Sequence, residues 1–176
     1  PPSYHACTLH NMSRENPVQK ETIQAMEKVI DYVKTKKYNN FGLFFSGSVG
    51  TGKSHMGIAV MKHMLDNGCQ GRFLSSREVK RIIFDKSIDF VGRMLYYDVI
   101  MIDDIDKLGD NQYIRSELFD LTESFYGQGK IMIITSNVKY TELSRIFGAA
   151  IYSRIRKKSV SVQVPGIDYR NIRETK

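Results

Sequence analysis

Short apolar runs recur along the chain, and longer stretches of helical spacing separate them. "FGLFFSG" (41–47) and "GRFLSS" (71–76) read as two short strands. "DVIMIDD" (98–104) is a continuous apolar run ending in acids, and "KIMIITSN" (130–137) is a second such run ending in polar residues. Apolar runs without alternation are the mark of strands buried on both faces of a parallel sheet. "SVSVQVP" (159–165) alternates instead and reads as a last strand. Between these runs the period changes. Ile23, Met26, Ile30 and Val33 fall at helical spacing within 16–36, after a start signal at Asn16-Pro17. Helices are likewise expected over 53–68, ending at Asn67-Gly68, over 77–86 and over 111–127. A short helical or irregular piece should run through Tyr97, and two short helices should lead to Arg156. Strands alternating with helices imply crossover connections and an α/β sandwich around a parallel sheet.

The chemistry is concentrated where strands end. "GSVGTGKSH" (47–55) lies between the first strand and the next helix and fits G-x4-G-K-[ST]. Its glycines let backbone N–H groups turn toward phosphate oxygens, and the helix N-terminus adds partial positive charge. Gly47, Ser48, Val49, Gly50, Thr51, Gly52, Lys53, Ser54 and His55 are the expected nucleotide-binding residues. Lys53 is placed to reach the β and γ phosphates of ATP or ADP, and the Ser54 hydroxyl to ligate Mg²⁺. Asp103, at the end of the third strand, is a second Mg²⁺ ligand by position. Asp104 follows it and has the chemistry to polarise an attacking water, which points to hydrolysis rather than binding alone. Asn137 ends the fourth strand, beside Asp103 if the two strands pair. Arg154, in "SRI", is favoured over Arg156 as an arginine that reaches a neighbouring subunit's phosphate.

Asp106-Lys107-Leu108-Gly109 matches the D-x-x-G of GTPases but begins beyond the strand's terminal acids. No N-K-x-D motif follows, so a GTPase is set aside. A small-molecule kinase would not need the strand at 71–76 between the phosphate loop and Asp103.

Composition narrows the class further. With 176 residues, 41% hydrophobic and 26% charged, the chain suits one domain with a real core. No apolar run approaches the roughly 18–20 residues a membrane span needs. Cys7 and Cys69 are far apart and read as free thiols in a reducing cytoplasm. His5, Cys7 and His10 have no fourth ligand at usual zinc spacing and are assigned to local packing. The net charge of +7 is uneven: 145–176 holds eight Lys/Arg against Asp168 and Glu174, leaving 18 bases against 17 acids in the rest. A basic end on a near-neutral body suggests a polyanionic partner. Arg77, Lys80 and Arg81 also share one helix face, with Phe84, Phe90, Tyr96 and Tyr97 nearby, a pattern suited to single-stranded DNA.

"GSVGTGKSH", "VIMIDDI", "ITSN", "YSRI" and the closing "DYR" occur in the order of an AAA+ ATPase, and "YHACTLHNM" is similar to the lead-in of the same family. The chain resembles the DnaC/DnaI bacterial helicase loaders, with the IstB transposition helpers and the DnaA initiator as cousins. The resemblance covers nearly the whole chain. It implies a P-loop NTPase with a three-layer αβα sandwich and a five-stranded parallel sheet. It also implies one domain over 1–176: a lead-in and first helix (1–40), a nucleotide-binding core (41–165) and a second-sensor segment (166–176). By the same resemblance Asn137 is the first sensor, Arg154 the arginine finger in trans and Arg170 the second sensor. The implied protein is cytoplasmic, forms homo-oligomers through ATP, and places a replicative DNA helicase on single-stranded DNA. A transposition helper, an initiator-like ATPase and a nucleotide-dependent scaffold with negligible turnover are the alternatives. Two departures stand out. The helical insertion available at 77–97 is shorter than in the loaders, and the loaders' helicase-binding region is expected to lie outside this chain.

Overall fold

A computed structural model describes residues 42–164. The helix expected over 16–36, the His5/Cys7/His10 group and Arg170 lie outside the described residues. Five strands form one parallel sheet: β1 (Gly42–Ser46), β2 (Gly71–Ser75), β3 (Val99–Asp103), β4 (Ile131–Ser136) and β5 (Ser159–Gln163). Their order in space is β2-β3-β4-β1-β5. Every residue of β1, β3 and β4 is buried, which is why these three strands carry unbroken apolar runs. In the edge strand β5, Val160 and Val162 share one face and Ser161 and Gln163 the other; Val162 is buried, Val160 stays exposed and the opposite face is exposed, hence the polar alternation.

Side chains of the central strands alternate between two cores. Leu43, Phe45, Met101 and Ile133 pack on one face against helix α1 (Lys53–Asp66), through Met56, Val60 and Met64. Phe44, Ile100, Ile102 and Ile134 pack on the other. That second face is covered by α2 (Ser76–Phe84), α3 (Phe90–Met94), α4 (Gln112–Gly127) and α5 (Leu143–Lys158). The result is the three-layer αβα arrangement expected from the sequence.

Three of these five helices begin where short polar side chains replace missing intrahelical partners. Ser75 accepts from the Glu78 amide at the start of α2. Asp89 accepts from Gly92 N before α3, and Asn111 from Tyr113 and Ile114 N before α4. Helix α5 is broken at Gly148 (φ 84°, ψ 162°), so the two short helices expected before Arg156 are present as two arms. Arg115 of α4 donates to the carbonyls of Ile146 and Arg145, which the break deprives of helical partners.

The topology gathers the polar strand ends. β1 lies between β4 and β5, and β3 lies on the far side of β4. Ser46, Ser136 and Asp103 therefore lie together at the C-terminal end of the central strands, where the chain reverses its order and a crevice opens.

Candidate nucleotide site

The phosphate loop starts where β1 ends. Gly47 N donates to Ser136 O, and Val164 N donates to Ser46 O, so the loop mouth is clamped between β4 and the segment after β5. A Cβ on Gly47 would stand 2.3 Å from the Val164 carbonyl oxygen, a contact no side chain tolerates. Gly52 precedes α1 in the left-handed region (φ 91°) and offers no side-chain cap. The first-turn N–H groups of α1 thus meet no cap at Gly52, which suits an anion. Within the loop, the Ser48 carbonyl accepts from Thr51 Oγ1 at 2.9 Å and from Lys53 Nζ at 2.6 Å. Lys53 is buried, 4% exposed, so its charge is held inside the loop.

Ser54 Oγ donates to Asp103 Oδ1 at 2.6 Å, joining the loop to the end of β3. Thr135 Oγ1 donates to the same Asp103 oxygen at 2.6 Å and accepts from Asp104 N at 2.8 Å. Asp104 itself is left-handed (φ 54°), a conformation that costs a non-glycine residue about 1 kcal/mol or more. The threonine bridge holds it there. Asp104 Oδ1 accepts from Asn137 Nδ2 at 3.2 Å, and Oδ2 is ion-paired with Lys107. That hydrogen bond, joined by the charges of Asp104, Asp106 and Asp103, holds the Lys107 ammonium above its usual pKa range.

These groups share one cavity of about 280 Å³, lined by loop residues between Val49 and His55, Thr51 excepted, and by Asp103, Asp104, Lys107 and Asn137. The structure thus brings together Lys53, Ser54, Asp103, Asp104 and Asn137, five residues singled out from sequence. The Ser54–Asp103 pair is a set of hard oxygen donors suited to Mg²⁺. Among the described residues no group of three or more His, Cys, Asp or Glu is placed to hold a metal ion, so an ion here would take its other ligands from phosphate and water.

Arg154 does not line this cavity. Its Nε is ion-paired with Glu123, and its guanidinium lies 4.1 Å from the Phe119 ring centre. Arg156 is exposed. On α2, Arg77 and Arg81 are exposed and Lys80 is half-buried, while Val79, Ile82 and Ile83 face the core. Arg81 lines a second cleft, of about 630 Å³, with Arg72, Phe84, Ile88 and Arg93. Arg77 and Lys80 do not line that cleft. The four aromatic residues noted near this helix separate: Phe90 is core, Tyr97 packs partly against it, and Phe84 and Tyr96 are exposed.

Sequence reading missed several partners. Thr135 carried a signal, a hydroxyl in an otherwise apolar strand, without a role attached to it. Asp106 and Lys107 were met only as part of a GTPase-like match. Asp106 accepts from Ser136 Oγ, Asn137 N and Asn137 Nδ2.

A parallel αβα sheet with this loop at its switch point, and paired acids beside it, defines a P-loop domain of the AAA+ class. The chain belongs to the bacterial DnaA ATPase domain family, whose profile matches residues 15–158. It is similar to the chromosomal replication initiator protein DnaA of Acholeplasma laidlawii, 28% identical over 75% of this chain and 31% of that protein. The chain therefore spans about a third of the length of the curated relatives it matches. Among solved structures it is similar to the DnaC helicase loader, with TM-score 0.78, 22% identity, and coverage of 93% of this chain and 99% of that one. It is also similar to a replication initiator DnaA bound to AMPPCP and single-stranded DNA, with TM-score 0.76, 20% identity, and coverage of 99% and 56%. These likenesses agree on the fold expected from the sequence.

Proposed function

We propose that this chain is a Mg²⁺-dependent ATPase of DNA replication, acting in the cytoplasm, that assembles copy to copy through ATP and works on single-stranded DNA. One observation carries the reading: the phosphate loop and the acids at the end of β3 share a cavity with Asn137. Lys53 and the loop amides hold the phosphates. Ser54 and Asp103 hold Mg²⁺, which when bound offsets phosphate charge. Asp104 orients a water whose oxygen bonds to the terminal phosphorus as the bond to ADP breaks, and Asn137 fixes Asp104 and that water. Arg154 of a neighbouring copy offsets charge in the transition state, and Arg170 acts as second sensor. Arg77, Lys80 and Arg81 contact phosphates of the DNA, and the cleft adds Arg72, Arg93 and the exposed Phe84.

The partner follows from the resemblance in sequence: a replicative helicase, placed on the single strand. The initiator reading is supported by the family match to DnaA, and in it duplex origin DNA replaces the helicase. ATPase assays with and without single-stranded DNA, and pull-down of the replicative helicase with ATP present, separate the two. Stimulation by single strands with helicase capture supports the loader. Preference for duplex without capture supports the initiator. Oligomerisation on DNA that survives Lys53→Ala would overturn ATP-driven assembly in either form.

A further inference from the structure

Lys107 occupies the nucleotide cavity without a part in the chemistry just described. Two lysines line that cavity, and they are placed differently. Lys53 is buried in the loop, whereas the Lys107 side chain is 60% exposed and ends on Asp104. Its position is set by backbone. The turn Ile105–Leu108 follows directly on the left-handed Asp104, and Lys107 N donates to Asp104 O at 2.9 Å. The turn keeps the Lys107 backbone beside Asp104, and the ion pair brings the side chain onto it.

The three aspartates of this segment have divided the nearby donors among them. Asp103 takes Ser54 and Thr135, and Asp106 takes Ser136 and Asn137. Asp104 takes Asn137 Nδ2 on one oxygen and Lys107 on the other. Each Asp104 oxygen thus already accepts one donor, and the ammonium on Oδ2 draws on the negative charge that would polarise an attacking water. One of the two donors is a cation on a long, solvent-facing stem, able to move to a stronger anion. The terminal phosphate of a nucleotide in the loop is such an anion, and it would enter the cavity that Ser54, Asp103, Asn137 and Lys107 line together.

We infer that Lys107 is a triphosphate-specific ligand: it masks Asp104 in the nucleotide-free site and transfers its ammonium to the γ-phosphate of ATP, freeing Asp104 Oδ2 for water. ADP has no γ-phosphate and leaves the mask in place. This rests on the nucleotide reading above and adds to it a residue that tells ATP from ADP.

The test is binding of AMPPCP and of ADP, each with Mg²⁺, to wild type, Lys107→Met and Lys107→Arg. Lys107→Met should weaken AMPPCP on the order of tenfold while ADP stays within about twofold, and Lys107→Arg should recover most of the loss. The loss should persist in an Asp104→Asn background. Its disappearance there would mean that Lys107 only screens Asp104, and the inference would fail. An AMPPCP-to-ADP ratio unchanged by Lys107→Met in a protein that binds both would also overturn it, leaving the nucleotide reading intact. A wild type that binds neither nucleotide would overturn both. Circular-dichroism melting should show Lys107→Met folded as wild type, as expected for an exposed side chain.

Discussion

Asp106 holds Asn137 at two points: its Oδ1 accepts from the Asn137 backbone N at 2.9 Å and its Oδ2 from Asn137 Nδ2 at 3.3 Å. The same Asn137 amide also donates to Asp104 Oδ1. The orientation of Asn137 is therefore fixed by two carboxylates, with Asp106 keeping its backbone in register with the turn after β3. Asp106→Asn keeps an oxygen for the backbone bond but sets an NH₂ against the NH₂ of Asn137. Turning the Asn137 amide over would then put its oxygen against Asp104. We expect hydrolysis to fall roughly ten- to hundredfold, as for a misplaced catalytic group, with nucleotide affinity within about threefold. Steady-state ATPase beside nucleotide binding checks this. Equal losses in both would mean that Asp106 only supports the fold.

Thr135 links Asp103 to Asp104. It is fully buried, and its hydroxyl both donates to Asp103 and accepts from Asp104 N. Thr135→Val keeps the shape and removes both bonds, leaving the Asp104 amide without that acceptor at a left-handed residue. The expected cost is about 2 kcal/mol, seen as a fall in Tm of roughly 4–8 °C. Thr135→Ser, which restores the hydroxyl, should recover most of it. Thermal melting of the two variants decides the matter, and a Val variant as stable as wild type would show that the bridge contributes nothing.

How much of this was legible follows from where each signal sits. β1, β3 and β4 could be read because strands buried on both faces must be apolar throughout, and their ends fell within a residue or two of those expected. The loop after β1 was legible because the G-x4-G-K-[ST] pattern fixes residue type at contiguous positions. Asn137 and Asp103 could be paired only by assuming that β3 and β4 are neighbours, and the sheet places them so. Asp106 was passed over because its partners lie about thirty residues away, beyond any local spacing rule. The Glu123–Arg154 pair, also 31 residues apart, is invisible for the same reason. Lys107, three residues from Asp104, was within reach of a spacing rule but hidden inside a motif assigned to another class.

Cys69 lies between α1 and β2, half-buried, with Asp98 nearby. Burial, and then the Asp98 charge, push its thiol above the ordinary value of 9.0. A neutral thiol is a poor nucleophile. Iodoacetamide at pH 8 should therefore label Cys69 more slowly than a free peptide thiol, and Asp98→Asn should speed it, read by peptide mass spectrometry. The linkage has a definite sign. The folded state keeps the proton longer than the unfolded one, so stability is full below the unfolded pKa and declines as pH rises past it. Labelling as fast as that of a free thiol would contradict the assignment.

Arg154 is occupied within its own chain by Glu123, the Ala150 carbonyl and the face of Phe119. Both members of the ion pair are partly exposed, so Arg154→Ala should cost the isolated chain no more than about 1 kcal/mol. If the arginine serves a neighbour, the same change should leave ATP binding intact and lower hydrolysis on the order of a thousandfold in the assembled protein. Asp104→Asn should be inactive for a different reason, because it disables its own site while still lending an arginine. Mixing the two inactive variants in equal amounts rebuilds an intact site wherever an Arg154→Ala subunit receives the arginine of an Asp104→Asn neighbour. For head-to-tail contacts formed at random that is roughly a quarter of the interfaces, and about a quarter of wild-type activity should return. Activity that stays at the level of the separate variants at every mixing ratio would confine Arg154 to its contacts with Glu123 and Phe119.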